Sequence, residues 1–160
     1  LTRSLVNNFL GSFIDNINSI NAIDVAKDRN IRVSTLINNE TSEYNSLIRL
    51  MITTERRTRS LAGSIFGGKS RIVEIKGINI DAELGNFNIY ITNEDKVGVI
   101  NEISNILTGN NINIATFNLG RVTKDGDAIA LIQTDQLCNE NIIGKLRKIK
   151  NVNQVKSIVF

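Results

Sequence analysis

Apolar residues recur at helical spacing at the start of the chain, alternate through its middle, and mix both periods towards the end. Leu5, Val6, Phe9, Leu10, Phe13, Ile14 and Ile17 form one stripe and predict an amphipathic helix over residues 1–20. Gly11 inside it costs on the order of 1 kcal/mol relative to Ala, so that helix relies on packing. A short helix is predicted at Ala22–Arg29, with Asn21 placed to cap it. From Asn30 the period becomes two. Ile31, Val33 and Thr35 read as a strand, and Thr41–Tyr44 as a polar turn. Asn45–Thr54, with Leu47, Ile48, Leu50, Met51 and Ile52, reads as a central strand because it is apolar on both faces. Arg56-Arg57 marks a turn. Arg59–Phe66, Arg71–Lys76 and Ile78–Leu84 predict three more strands, separated by Gly67-Gly68 and Gly77. Residues 1–84 thus read as a small α/β unit with a mostly antiparallel sheet.

Gly85-Asn86 is a natural boundary, and residues 85–160 follow a different order. Phe87, Ile89 and Ile91 alternate with Asn88, Tyr90 and Thr92 in a strand. Lys96–Asn110 carries the helical stripe Val99, Ile100, Ile103, Ile106 and Leu107, with Asp95 as its expected N-cap and Gly109-Asn110-Asn111 as its stop. Ile112–Val122 and Ala128–Thr134 read as strands joined by a hairpin containing Asp125-Gly126. The second of them is apolar on both faces. Asn139–Lys150 reads as a helix whose Lys145, Arg147, Lys148 and Lys150 form a solvated face, and Val152–Phe160 as a final strand. The order βαββαβ is ferredoxin-like, which makes the whole chain α+β.

Composition narrows the chemistry. The chain has 160 residues, 41% of them hydrophobic but only 5% aromatic, so its core must be Ile, Leu and Val. There is no His, which removes the commonest general base and metal ligand; no metal site is expected. The lone Cys138 excludes an internal disulfide and suggests a reducing, cytoplasmic compartment. No apolar run approaches the ~18 residues of a membrane span. The net charge of +3 is spread among interspersed acids and bases rather than gathered in a stripe, which disfavours nucleic acid. An RNA-recognition fold shares the element order, but it wants aromatics on its central strands, and Ala128–Thr134 has none. Residue 1 is Leu, so further domains are expected upstream.

Two stretches carry candidate chemistry. In Asn93-Glu94-Asp95-Lys96-Val97-Gly98 a strand end meets a helix N-terminus, where backbone N–H groups lack intrahelical partners and can hold a carboxylate. The plain alternative is that Asp95 caps the helix and Asn93 shapes the turn. In Phe66-Gly67-Gly68-Lys69-Ser70-Arg71 two glycines let backbone N–H groups approach an anion between cations. The plain alternative there is a hairpin turn with solvated charges.

Asn93-Glu94-Asp95-Lys96-Val97-Gly98-Val99-Ile100 resembles the strand–turn–helix of an ACT domain. Asn111-Ile112-Asn113-Ile114-Ala115 and Leu119-Gly120-Arg121 resemble its second strand. Upstream, Ile20-Asn21-Ala22, Ala26-Lys27-Asp28-Arg29, Ser60–Gly68 and Arg71–Gly77 resemble an allosteric substrate-binding domain. This pair of domains, 1–84 and 85–160, resembles the C-terminal regulatory half of the long-form D-3-phosphoglycerate dehydrogenase family. The resemblance implies a parent enzyme that oxidises 3-phosphoglycerate with NAD, the first step of L-serine synthesis. The NAD-binding and catalytic domains would lie upstream, and this stretch would contain no catalytic residue. It also implies homo-oligomers that pair ACT domains edge to edge, with L-serine as effector at that interface. Carried over by position, Asn93, Asp95 and Asn113 would hold serine, with backbone donors from Val97 and Gly98. An anion would fall to Gly67, Gly68, Lys69, Arg71 and Lys76. Val97 stands where the family usually has Pro, which implies a softer turn. Two rival readings are the β-subunit-like region of an iron–sulfur L-serine dehydratase and a free-standing ACT amino-acid sensor.

Overall fold

The computed structural model describes residues 1–37, 44 and 46–160. These divide into two units, 1–40 and 41–160.

The first unit pairs helix α1 (Thr2–Leu10) with helix α2 (Ala22–Asp28), burying Leu10, Ala22 and Ala26. The helix expected over residues 1–20 stops at Leu10. Past Gly11 the backbone finds local side-chain acceptors instead. Asn18 Oδ1 accepts from the Ile20 and Asn21 N–H groups, and Asn21 Oδ1 accepts from the Asn18 N–H at 2.8 Å. Short polar side chains compete in this way with helical hydrogen bonds, and here they win. The same bond corrects the expected role of Asn21, whose side chain does not cap α2. Residues 31–37 form no strand despite their alternation, because no strand among the described residues takes their backbone groups. The polar turn expected at Thr41–Tyr44 lies largely outside the described residues, as does the start of the next strand at Asn45.

The second unit opens with an antiparallel meander of β1 (Leu47–Thr53), β2 (Thr58–Phe66), β3 (Lys69–Ile75) and β4 (Ile78–Glu83), in that spatial order. β1 was expected at the centre of a sheet on the strength of its apolar run; it is an edge strand, and most of its side chains are exposed. Gly67-Gly68 and Lys76-Gly77 are the two-residue loops of the β2–β3 and β3–β4 hairpins, as the register Phe66↔Lys69 and Ile75↔Ile78 requires. The polypeptide then turns at Gly85, which the buried Asn88 side chain clamps by accepting from its N–H and donating to its carbonyl.

A second antiparallel sheet follows, in the order β6-β7-β5-β8, from β5 (Phe87–Glu94), β6 (Ile114–Arg121), β7 (Asp127–Thr134) and β8 (Val152–Val159). Helices α3 (Val99–Thr108) and α4 (Glu140–Arg147) lie on one face. Val99, Ile103, Leu107, Ile142, Ile143 and Leu146 there meet Ile89, Ile91, Ala130 and Ile132 of the strands. This is the ferredoxin-like βαββαβ fold. Asn139 caps α4 by accepting from the Ile142 N–H, and Lys145, Arg147, Lys148 and Lys150 are all exposed.

The opposite face of this sheet is covered too. Ile75, Ile78, Ile80 and Ala82 of the meander pack on Ile129 and Leu131 of β7, flanked by Tyr90. That is the face on which an RNA-recognition fold stacks bases, so here it cannot take them. Where β4 crosses β6, an added Cβ on Gly120 would stand 2.3 Å from the Asn79 carbonyl oxygen and 2.9 Å from Ile78 Cγ2. Only Gly allows that approach. Gly120→Ala is expected to destabilise the fold by about 1–3 kcal/mol, the cost of overpacking, measured by urea titration. Unchanged stability would show that the two sheets are not held at this contact.

Candidate functional site

The turn after β5 is fixed by backbone bonds to two neighbouring segments and by one within itself. The Glu94 N–H donates to the Asn151 carbonyl at 2.8 Å, and the Asp95 N–H donates to the Gly126 carbonyl at 2.8 Å. The first tie reaches the loop before β8, and the second reaches the β6–β7 hairpin. The Lys96 N–H turns back to the Glu94 carbonyl at 2.8 Å, and Lys96 Nζ lies 3.3 Å from Asp125 Oδ1. The register Asn93↔Ala128↔Arg121 brings this turn and the end of β6 to the same end of the sheet.

Asn93 is 5% exposed. Its Nδ2 donates to the Glu94 carbonyl at 2.7 Å, which settles the orientation of the amide. The Oδ1 is buried and accepts no hydrogen bond among the described residues. A buried acceptor left unmatched costs about 1–3 kcal/mol.

Asp95 was expected to cap the following helix, and it does not. Gly98 is the N-cap residue, at φ 97°, and no side chain caps α3. Asp95 turns instead to Arg121, whose Nη1 donates to its Oδ2 at 2.6 Å. A guanidinium in reach is a stronger partner for a carboxylate than a backbone amide. That hydrogen bond is the largest cause holding the Asp95 carboxyl below the ordinary aspartate value. Partial desolvation opposes it, while the Arg121 charge, the Asp125 backbone N–H and Lys96 add to it. Val97 is fully exposed, so its side chain takes no part in packing. The shape of the turn comes from its backbone bonds and from the left-handed Gly98, a conformation that favours Gly.

Asn113 is not beside these residues within one chain. It precedes β6 at the other end of the sheet, where Ile114 pairs with Thr134, and its Nδ2 donates to Asp135 Oδ2 at 2.6 Å. From Asn113 to Arg121 is eight residues, ~27 Å of extended chain.

The glycine loop is occupied by its own sheet. Lys69 Nζ lies 3.0 Å from Glu83 Oε1, and Arg71 pairs with Asp81 through Nε and with Glu83 at 3.9 Å. Gly67 and Gly68 thus join a hairpin whose cations are matched by the carboxylates of β4. Lys76 sits at the far end of β3, away from this loop, with Nζ 5.3 Å from the centroid of the Tyr90 ring. Burial, then Arg59 and Arg57, push its ammonium below the usual lysine value. Cys138 is buried, and burial pushes its thiol up, away from a reactive thiolate. Among the described residues no group of acids, Cys or His could hold a metal, and no helix is long and apolar enough to cross a membrane.

The sequence reading missed Arg121 as a member of this site. An acid on one loop and a base 26 positions later carry no local signal, and only the strand register brings them together. Because the folded Asp95 titrates low, its ion pair persists as pH falls through the ordinary carboxylate range and is lost only at its own lower midpoint. A carbon-13 carboxyl titration is expected to place Asp95 below an unfolded aspartate, and Arg121→Gln is expected to move it up. An unmoved midpoint would mean that Arg121 does not hold the carboxyl.

Residues 1–76 match the D-3-phosphoglycerate dehydrogenase intervening domain, and residues 87–151 match the ACT domain. A D-3-phosphoglycerate dehydrogenase of Bacillus subtilis is 36% identical over 99% of this chain, and one of Methanocaldococcus jannaschii is 30% identical over 89%. The alignments cover 30% and 27% of those two proteins, so the chain spans under a third of their length. A probable L-serine dehydratase beta chain of Bacillus subtilis is 27% identical over 86% of this chain and 63% of its own. With both domain types in sequence and the dehydrogenases matched along nearly the whole chain, it belongs to the D-3-phosphoglycerate dehydrogenase family, as its regulatory C-terminal region with an ACT domain.

Proposed function

We propose that this region binds L-serine where two copies meet along β6, and that it regulates an NAD-dependent D-3-phosphoglycerate dehydrogenase activity carried by other domains of the same protein. The observation that carries the reading is the placement of the residues along the edge strand. Asn93 and Asp95 stand at the end of β6, and Asn113 stands at its beginning. Among the described residues β6 has a hydrogen-bonded strand neighbour on one side only, so its outer edge can pair with a second strand. Antiparallel self-pairing about a two-fold axis near Phe117 sets Asn113 of one copy beside the Arg121 end of the other. The same patch then serves both copies, as an isologous interface requires.

The chemistry suits a hydroxy amino acid. Asp95 is ionised and can take an ammonium, and the unmatched Oδ1 of Asn93 can accept from the ammonium or the hydroxyl. The uncapped start of α3, at Gly98, offers backbone donors to a carboxylate. Regulation would follow from unequal affinity of the ligand for two arrangements of the copies.

Calorimetric titration of this chain with L-serine, against glycine and D-serine, tests the reading alongside its mass in solution. Saturable, stereoselective binding to a dimer is expected. Asp95→Asn is expected to weaken it roughly tenfold or more, the scale of a charge-assisted hydrogen bond. Equal binding by that variant would show that the turn is not the site.

A further inference from the structure

The site described so far offers the effector's carboxylate only amide and backbone partners, yet a guanidinium lies within it. Arg121 ends β6, and the neighbouring Gly120 backbone is pressed against Asn79, which fixes where this strand end sits. The Arg121 side chain itself is half exposed. Among the described residues its one hydrogen bond goes from Nη1 to Asp95 Oδ2. That leaves most of the five donors of its planar fork without a partner. The Asp95 carboxylate accepts from Arg121 at Oδ2, which leaves lone pairs for another donor.

Two opposite charges therefore stand side by side, each with unused capacity. A free α-amino acid carries the same two charges one carbon apart. A simple amine gains little here, since the charge of Asp95 is already balanced by Arg121. A zwitterion gains at both ends, with its ammonium on Asp95 and its carboxylate on the open edge of the guanidinium, a shape suited to paired N–H···O bonds.

We infer that Asp95 and Arg121 together clamp the zwitterion, and that Arg121 is the residue that selects free α-amino acids over amines lacking a carboxylate. This rests on the effector site proposed above. A counter-ion that merely blocked Asp95 would behave in the opposite way, since its removal would tighten binding.

The test is calorimetry on this chain, at a mildly acidic pH that keeps both amines protonated, with L-serine and with L-serine methyl ester, which has the ammonium and hydroxyl but no carboxylate charge. The parent chain is expected to prefer L-serine by roughly tenfold or more. Arg121→Gln is expected to abolish that preference by weakening L-serine, while the ester, relieved of the competing charge on Asp95, is not weakened. Arg121→Lys, which keeps the charge but not the fork, is expected to fall between. A purely structural role for Arg121 would weaken both ligands alike. Parent binding whose preference survives in Arg121→Gln, or serine binding that tightens there, overturns the clamp alone. Failure of the parent chain to bind either ligand overturns the effector site and the clamp with it.

Discussion

β7 has no polar face. Ala130 and Ile132 point into the helices, Ile129 and Leu131 point into the meander, and all four are buried. A strand buried on both sides must be covered on both sides, and the second unit is arranged to do this. α3 and α4 close one side, and β3 and β4 close the other. Burying a Leu or Ile side chain contributes about 1.5–3 kcal/mol, so a strand with this pattern resists exposure on either face. It also resists slippage, because a one-residue shift would exchange its two faces between dissimilar partners.

That fixed register sets up the chemistry at one end of the sheet. β7 begins at Asp127, directly after the hairpin whose Gly126 carbonyl holds the Asp95 N–H. Its pairing with β6 brings Arg121 opposite Ala128, and its pairing with β5 brings Asn93 opposite the same residue. The turn, the hairpin and the end of the edge strand are therefore held by one strand, and Asp95, Arg121, Lys96 and Asp125 form a compact network of alternating charge. The network is solvent-facing, so its pairs add little to stability. What they fix is where the charges stand.

The structure also shows where pattern reading stops. Alternation at Ile31, Val33 and Thr35 describes a segment able to be a strand, but a strand needs a neighbour. The stripe of the first twenty residues describes a segment able to be a helix, but a run of Asn and Ser offers its backbone other acceptors. The apolar run of β1 suggested two covered faces and belongs to an edge. Hydrophobicity records which side chains tolerate burial, and it does not record which of them find a partner.

The sequence by itself determined the βαββαβ order, the helix stripes of α3 and α4, the hairpin loops at Gly67-Gly68 and Asp125-Gly126, and the double-faced burial of β7. Each of these is written in short-range spacing or in the chemistry of two or three adjacent residues. It also pointed to the strand–turn–helix at Asn93–Gly98 as a place for chemistry. Tertiary structure alone decided that Asp95 faces Arg121 rather than capping its helix, because the pair is joined through the register of three strands. It alone decided that Asn113 stands a full strand length from Asn93. It also decided that the cations of the glycine loop are answered by the carboxylates of β4. Contacts between residues far apart in sequence depend on pairing and register, which no local pattern encodes.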